Sequence, residues 1–360
     1  MNRRVRGLAL AASAAGLVAL GVPGTAAAAP APDDPIAQGL AGPLQFDLGA
    51  KGQIYVAQAF AGVLTKVRAD GSTKDLVTEP GEIAGVASSG YDVVYTFTGG
   101  TEEEPVALLK QRRANGTVRT IADLGAFEAA HNPDGFQEYG MRNVSAKCLA
   151  QAPDILQPYT GIVESHPYAV ANDPNGGWYV ADAAANDILH VSAKGKVEVV
   201  KVARPAKAVI TQEIADAVGA PQCVVGKSYA FEPVPTDVEL NPLGFLIVSL
   251  LPGGPEPGDP LGDLFGPRGM IMRISPGDFE WTILAKGLSS ATNVAPAPGG
   301  RIYVSELSGG SVSVFSNKTH AVTPVVDLPS PAGVEYENGK LYASYDVFAN
   351  GSIARILGVD

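Results

Sequence analysis

The sequence predicts an all-β fold made of repeated antiparallel units, and three observations support this prediction. GGWYVADAAANDILHVSAKG at 176–195 returns at 299–318 as GGRIYVSELSGGSVSVFSNK, with almost every apolar position kept. The apolar residues of these runs alternate with polar ones, as in strands with one buried face, and do not recur at a helical spacing. The 42 glycines and 28 prolines are spread between the runs, which is typical of many short strands joined by turns.

The unit occurs six times along the chain. Its middle strand is written GQIYVAQ at 52, YDVVYTF at 91, GGWYVAD at 176, GFLIVSL at 244, GRIYVSE at 300 and GKLYASY at 339. A similar strand precedes each copy, another follows it, and an outer strand closes five of the units. Six units of four antiparallel strands around a channel predict a six-bladed β-propeller.

The outer strand of the sixth unit is missing from this pattern. PIAQGL at 35–40 resembles TILAKGL at 282–288, so the N-terminal segment is predicted to supply that strand and close the propeller without an open edge. Residues 35–360 are therefore predicted to be one propeller domain. A signal peptide at 1–28 and a short linker at 29–34 are predicted to precede it.

The first residues have the pattern of an export signal, with three arginines, an apolar run at 8–22 and an Ala-x-Ala stretch before Ala28. The residues around the arginines fit the general secretory route better than the twin-arginine route. No later run is long and apolar enough to span a bilayer, and the net charge of -11 argues against nucleic acid as a partner. We expect a secreted, extracellular and monomeric protein.

The chain has two cysteines, Cys148 and Cys223. In an exported protein they are predicted to form a disulfide bond, and two buried thiols are the alternative.

The long insertions all fall on one predicted face. In a propeller, the loops after the first and third strands of each blade share one face, and here they are uniformly tight Gly-containing turns with no predicted room for a site. The opposite face receives the insertions at 122–165, 201–232 and 251–269, the second of which contains a predicted short helix capped by Thr211. We expect these insertions to form a wall around one mouth of the channel, with surface padding as the alternative.

Three stretches resemble a known family. AFEAAHNPDG at 126, ESHPYAVANDPNGGWYVADAAANDIL at 164 and VPTDVELNPLGFLIVSLLPGGPEPGDP at 234 are similar to the ScyD/ScyE family of secreted bacterial proteins, which themselves resemble NHL-repeat propellers. The resemblance covers essentially the whole chain after the predicted signal. It implies a propeller fold and export but little chemistry, and this chain has His166 where the family pattern has Asn.

Polar residues at the starts of the inner strands are predicted to surround the channel mouth. They are Glu82, His166, Asp237 and Asn293, with Tyr168 and Thr236 beside them. Oxygen ligands from several blades suit Ca²⁺, so Glu82, Asp237 and Asn293 are the predicted ligands if a metal is bound, although no cofactor is the favoured expectation.

Another set of polar residues recurs at the ends of the middle strands. Gln58, Asp182 and Glu306 are predicted to cap backbone amides and to hold the blades together, and we interpret Asn186 and Asp187 in the same way.

The common catalytic strings HExxH, G-x-S-x-G and CxxC are absent, so the sequence favours binding without chemistry and leaves enzyme activity open. The predicted function is a module that binds a small molecule, glycan or protein segment at the loop-rich mouth. The alternatives are a metal-assisted hydrolase or lyase, similar to gluconolactonase-type propellers, and an extracellular scaffold.

Overall fold

This computed structural model describes residues 29–254, 258 and 260–359, so the predicted signal peptide at 1–28 lies outside the described residues. Within them, six antiparallel sheets carry the repeated units, as expected of an all-β fold, and the strands of each unit pair in chain order. We number these units repeat 1 to repeat 6 along the chain.

The strands of the repeats occupy equivalent places in each sheet. The first strands are Pro43–Gly49, Glu82–Ser89, Pro167–Asn172, Pro235–Leu240, Ala291–Ala297 and Val334–Glu337. The second strands are Gln53–Gln58, Asp92–Gly100, Trp178–Asp182, Leu246–Leu250, Arg301–Glu306 and Lys340–Tyr345. The third strands are Val63–Val67, Pro105–Arg112, Asp187–Val191, Gly269–Ile274, Ser311–Ser316 and Gly351–Leu357. The fourth strands of repeats 1 to 5 are Thr73–Thr78, Val118–Asp123, Val197–Val202, Trp281–Leu288 and Ala321–Asp327.

The N-terminal segment completes the sheet of repeat 6. Ala37–Leu40 pairs antiparallel with Gly351–Leu357, with Ala37 opposite Ile353 and Leu40 opposite Gly351. The outer strand predicted for 35–40 is thereby confirmed. Ala31–Pro32, inside the stretch predicted as a linker, pairs with the same third strand.

The repeats are held together by side chains packed between neighbouring sheets. First strands of consecutive repeats contact one another, and the first strand of repeat 6 contacts that of repeat 1. An apolar cluster lies between repeats 1 and 2, and another joins Leu40 and Ile353 of the last sheet to Phe46 of repeat 1. Each described sheet is separate and open, so burial of apolar surface between sheets is the main cohesive interaction.

Glycine is required in the tight turn between the first two strands of repeat 3. Gly177 has φ of +107°, and a Cβ there would lie 2.4 Å from the carbonyl oxygen of Val191. A side chain at this position would collide with the backbone of the third strand, which explains why the repeat begins with a Gly-Gly pair.

The first two insertions form a seventh sheet that the sequence did not predict. Its strands, in order, are Tyr159–Thr160, Glu138–Arg142, Ser228–Phe231 and Ala206–Val209. Two of these strands come from each insertion, so neither insertion forms the sheet alone.

Short helices make up most of the other regular structure. The α-helices are Leu124–His131, Ala146–Leu149, Gln212–Ala217 and Pro260–Phe265, and the 3₁₀ turns are Ala50–Gly52, Ala59–Ala61, Asp154–Leu156 and Gln222–Val224. The hydroxyl of Thr211 accepts a hydrogen bond of 3.2 Å from the amide of Ile214, so the predicted cap is confirmed. None of the helices in the described part of the chain is long and apolar enough to cross a membrane.

The two cysteines form the predicted disulfide bond. Cys148 lies in the short helix of the first insertion and Cys223 in a 3₁₀ turn of the second, with their Cα atoms 6.0 Å apart. Cys148 is buried in the apolar cluster that also contains core residues of repeats 3 and 4. The bond therefore ties the two insertions to each other beside these repeats.

Candidate functional site

Two of the predicted site residues meet at the insertion-rich face. Glu82 begins the first strand of repeat 2, and His166 directly precedes the first strand of repeat 3. Nε2 of His166 lies 2.7 Å from Oε2 of Glu82, within hydrogen-bonding distance. Their side chains are 34% and 28% exposed, respectively, so a ligand in solvent can reach both groups.

The environment of His166 favours its protonated form. Burial alone would lower the pKa of His166, but the hydrogen bond and the charge of Glu82 outweigh burial and raise it. The ring of Tyr168 stands edge-on to the imidazole, with centroids 6.0 Å apart. Burial raises the pKa of the Tyr168 hydroxyl, and the charge of Glu82 adds to this effect, so the hydroxyl stays a neutral donor.

We expect Glu82→Gln to lower the pKa of His166. The substitution keeps the shape of the side chain but removes the negative charge that stabilises the imidazolium. NMR titration of the His166 ring should show a decrease of about one unit or more, on the scale of a nearby opposite charge. The ring of His190, which pairs with Asp173 at 3.1 Å, is the internal control, and its signals should be the same in the variant and in the parent protein. An unchanged His166 titration would contradict this interpretation of the pair.

An apolar cluster lies beside this pair and joins several repeats across the mouth. Its buried members are Leu44, Ala59, Ala332 and Val347, and Tyr168 and Leu307 pack against them. These residues lie at the starts of first strands or just after second strands, which places them on the insertion-rich face. We call these six residues the mouth cluster.

Two exposed aromatic rings stand next to the mouth cluster. Phe60 and Phe348 are 58% and 64% exposed, and their rings stack with centroids 6.1 Å apart. Each adjoins a member of the mouth cluster in sequence, Ala59 and Val347. These apolar residues were not among the predicted site residues, which were chosen mainly as polar groups, although Leu44 and Ala332 align with the predicted Tyr168 in the repeat.

Thr236, Asp237 and Asn293 form a second group, which is buried. The Thr236 hydroxyl donates to the carbonyl of Ala291 at 3.0 Å, and Asp237 accepts from the amide of Val294 at 2.9 Å. Both bonds join repeat 4 to repeat 5. These residues already serve the fold, and their contact with a ligand stays a prediction.

Gln45 connects this group to repeat 1. Its amide donates to the carbonyl of Thr236 at 3.0 Å and accepts from Asn293 at 2.6 Å. Asn293 in turn accepts from the amide of Val334 at 2.9 Å, which links repeat 5 to repeat 6. Gln45 occupies the repeat position of Asp237 and Asn293, and that alignment is the signal that could have identified it.

Burial raises the pKa of several carboxyl groups on the first strands. Burial raises the pKa of Asp237 to about 7. Burial also raises the pKa of Asp47, Glu239 and Glu335, and for Glu335 the charges of Glu239 and Asp47 add to the effect. The interior of the channel therefore disfavours additional negative charge.

The structure brings no set of metal ligands together in the described residues. No three His, Cys, Asp or Glu side chains there are placed so that they could hold a metal ion. Of the three predicted ligands, Glu82 pairs with His166, whereas Asp237 and Asn293 bind backbone amides of neighbouring repeats. The donor set therefore does not fit the predicted Ca²⁺ site in this conformation.

Polar residues at the ends of second strands cap backbone amides as predicted. Gln58 accepts from the amide of Ala41 at 2.7 Å, and Glu306 accepts from the amide of Ser289 at 2.8 Å. Asp182 accepts from the amide of His166 at 2.7 Å, which fixes the backbone of that site residue.

Asn186 also fits the capping prediction, but Asp187 does not. Asn186 accepts from the amide of Val234 at 3.1 Å. Neither carboxylate oxygen of Asp187 has a hydrogen-bond partner in the described part of the chain, so the prediction that it caps a backbone amide is wrong.

The face formed by the tight turns after the first and third strands contains cavities. The prediction that this face has no room for a site is therefore wrong. One cavity of about 500 Å³ is lined by Asp47, Glu239, Asn172 and Asn241 among others, and lies at this end of the channel. A second cavity, of about 550 Å³, lies between repeats 4, 5 and 6 and is lined by residues that include Leu243 and Phe245. The turns are short, but the spaces between neighbouring sheets widen beneath them.

Sequence comparison does not identify a family for this chain. No protein-family model matches the chain. No curated protein matches its sequence. The ScyD/ScyE resemblance therefore stays a prediction.

Similar solved structures are β-propeller proteins. The PQQ-bound form of aldose sugar dehydrogenase from Streptomyces coelicolor has a TM-score of 0.52 at 14% identity, over 91% of this chain and 97% of that one. A protein of unknown function from Bacteroides thetaiotaomicron VPI-5482 has a TM-score of 0.52 at 12% identity, over 87% of this chain and 70% of that one. At these identities the likeness shows the fold alone: the chain folds as a β-propeller.

Proposed function

We propose that this chain is a secreted six-bladed propeller of the ScyD/ScyE type that binds a small, largely apolar ligand at the insertion-rich mouth. The blade number is supported by the six sheets that carry the repeat and by the contact between repeats 6 and 1. Export is supported by the disulfide, since such bonds persist in oxidising compartments.

The observation that carries this proposal is the mouth cluster, with a half-exposed hydrogen-bonding pair at its side. Binding sites for small molecules are mostly apolar, with a few polar groups that fix orientation. Here the apolar part is the mouth cluster with Phe60 and Phe348, and the polar part is Glu82 with His166. A ligand with a flat apolar body and one hydrogen-bonding group suits this arrangement better than a polyanion, because Glu82 lies at the mouth and burial in the channel disfavours additional negative charge.

A second candidate is an enzyme that uses His166 as a general base or acid. A carboxylate that orients an imidazole at 2.7 Å is an arrangement that proton-transfer enzymes use, and the ring of Tyr168 lies beside this pair. A lyase or hydrolase of this type would not need the predicted Ca²⁺ site. Turnover of lactone or ester substrates that is lost in His166→Gln would favour an enzyme over a binding module.

The third alternative, an extracellular scaffold, predicts neither turnover nor small-molecule binding at the mouth.

We expect Tyr168→Ala to weaken binding at the mouth at least tenfold, since a buried aromatic ring contributes about 1.5–3 kcal/mol of apolar contact. Indole, a flat apolar molecule with one N–H donor, is the probe, and cellobiose represents the glycan alternative. Saturation-transfer NMR should show contact of indole with the parent protein, displacement of the His166 ring signals, and loss of both in the variant.

Tyr179→Ala is the matched control for this experiment. Tyr179 lies on the second strand of the same repeat, beside His190 and away from the mouth, so indole contact should persist there. Contact with cellobiose but not indole would contradict the apolar ligand class. Absence of contact with either probe, or indole contact that Tyr168→Ala leaves unchanged, would contradict binding at this site.

A further inference from the structure

A cluster of four buried carboxyl groups joins the first insertion to repeat 3. Asp182 ends the second strand of repeat 3, and Asp187 begins its third strand directly opposite. Glu128 lies on the helix Leu124–His131, and Asp134 lies in the turn that follows this helix. All four are 0–2% exposed. We call Glu128, Asp134, Asp182 and Asp187 the carboxyl cluster.

Several oxygen atoms of the carboxyl cluster have no partner in the described part of the chain. They are Oε1 of Glu128, Oδ1 of Asp134 and both carboxylate oxygens of Asp187. The other oxygen of Asp134 accepts from the hydroxyl of Tyr139 and the amide of Asn186, each at 2.9 Å. An unpaired ionised carboxylate in such a buried site is very costly, because burial removes the water that stabilises its charge.

The protonated His166 partly stabilises the charge of Asp182, but no cation among the described residues does so for Glu128, Asp134 or Asp187. Neither Glu128 nor any of the three aspartates forms an ion pair there with Lys, Arg or His. The charges that act on Glu128 and Asp187 come from other members of the cluster. The groups are not placed to hold a metal ion, and Gly161 packs so closely on Asp134 that a Cβ there would lie 1.9 Å from Oδ1.

Protons can neutralise the cluster without movement of the chain. A protonated carboxyl group is uncharged and donates one hydrogen bond, so neighbouring carboxyl groups can pair with each other through shared protons. We propose that the carboxyl cluster is a proton-operated lock, which holds the first insertion against repeat 3 when it is protonated and releases it when it ionises.

Ionisation of the cluster is expected well above the usual range of carboxyl groups. Burial raises the pKa of Glu128 to about 8, with the charges of Asp182 and Asp134 adding to the effect. Burial also raises the pKa of Asp134, Asp182 and Asp187. The other titratable groups whose charges interact with the cluster are Tyr139, Tyr159, His166 and Glu232, and Glu164 acts in turn on His166 and Glu232.

These shifts fix the sign of the pH dependence. Between the ordinary carboxyl range and about pH 8, the folded state keeps protons that the unfolded state has lost. Attachment of the insertion is therefore strongest below about pH 4 and weakens as the pH rises through this window. Because Asp182 binds the amide of His166 and the hydroxyl of Ser165, release of the lock would also loosen the mouth.

Hydrogen exchange of the ligand-free protein tests the lock directly, whatever the mouth binds. After correction for intrinsic rates, we expect protection of amides in 122–142 to fall at least tenfold between pH 5.5 and 8.5. A pKa shift of one unit in a single group corresponds to a tenfold change in the equilibrium between the closed and the open insertion. Amides of Arg301–Glu306 in repeat 5 are the internal reference and should change little. Asp187→Asn removes one ionisable group and keeps the shape of the side chain. It should therefore reduce the fall in protection between pH 5.5 and 8.5 by half or more.

Asp154→Asn is the matched control, because Asp154 lies in the same insertion but is exposed, and this variant should behave as the parent. Glu128→Gln is the second variant, for the case in which Asp187→Asn fails to fold. Equal protection at both pH values, or a loss that neither cluster variant reduces, would overturn the proposal. Restoration of protection at pH 8.5 by millimolar Ca²⁺ would also overturn it, because a metal ion would then occupy the cluster.

Discussion

Removal of residues 35–40 should lower the free energy of unfolding by about 5 kcal/mol, because it takes away the outer strand of repeat 6 and two buried side chains. Ala37 and Leu40 are 5% and 3% exposed and belong to the cluster between repeats 6 and 1. The deletion would also uncover residues 351–354 of the third strand along one edge, and a free edge invites pairing between molecules. Thermal unfolding should show a melting temperature lower by about 10 °C or more, and size-exclusion chromatography should show dimers or larger species.

Single substitutions in this strand distinguish the effect of losing a buried side chain from the effect of losing the strand itself. Leu40→Ala should lower the free energy of unfolding by about 2–3 kcal/mol, the usual cost of removing a buried leucine. Gln38 is exposed in the same strand, so Gln38→Ala should change the free energy of unfolding by less than about 0.5 kcal/mol. A deletion variant that melts like the parent and stays monomeric would show that the propeller does not need its N-terminal strand.

The repeats could be predicted from the sequence because each one encodes its own strands locally. Alternation of apolar residues and the turn glycines recur at fixed places, so six copies support one another where a single copy would be ambiguous. The match between 35–40 and 282–288 even identified the strand that completes repeat 6. The seventh sheet was not predicted because its strands have two to five residues and its central pair joins positions about 90 residues apart, as Gly140 does with Ala230.

The candidate site was predicted only in part, since sequence position gives a residue's place on a strand but not its partner. Glu82 and His166 are 84 residues apart, and only the packing of repeat 3 against repeat 2 makes them neighbours. Asp237 and Asn293 occupy equivalent positions near the starts of their strands, but each side chain accepts a hydrogen bond from a backbone amide of the next repeat. Asp187 was grouped with Asn186 by sequence and both are buried, but only the structure shows that Asn186 has hydrogen-bond partners whereas the Asp187 carboxylate has none among the described residues.

Loss of the disulfide should loosen the insertions and leave the repeats folded. The bond joins residues 75 apart, and the loop-entropy model gives such a closure a value of about 4 kcal/mol at most. The true contribution should be smaller, because repeat 3 lies between the two cysteines and already restricts the ends of the loop. Cys148→Ser should therefore keep the far-ultraviolet circular dichroism of the parent while the insertions become sensitive to protease.

The seventh sheet determines where cleavage should occur in Cys148→Ser. Glu138–Arg142 and Ser228–Phe231 stay paired through Gly140 and Ala230, so these strands should remain protected. The segments 143–158 and 210–227 carry the cysteines and have no strand of that sheet, and limited proteolysis should cut there first. Cys223→Ser and the double variant should give the same pattern as Cys148→Ser, because each removes the same single bond. If all three variants resist protease as well as the parent does, the sheet alone orders the insertions and the disulfide does not contribute to the wall around the mouth.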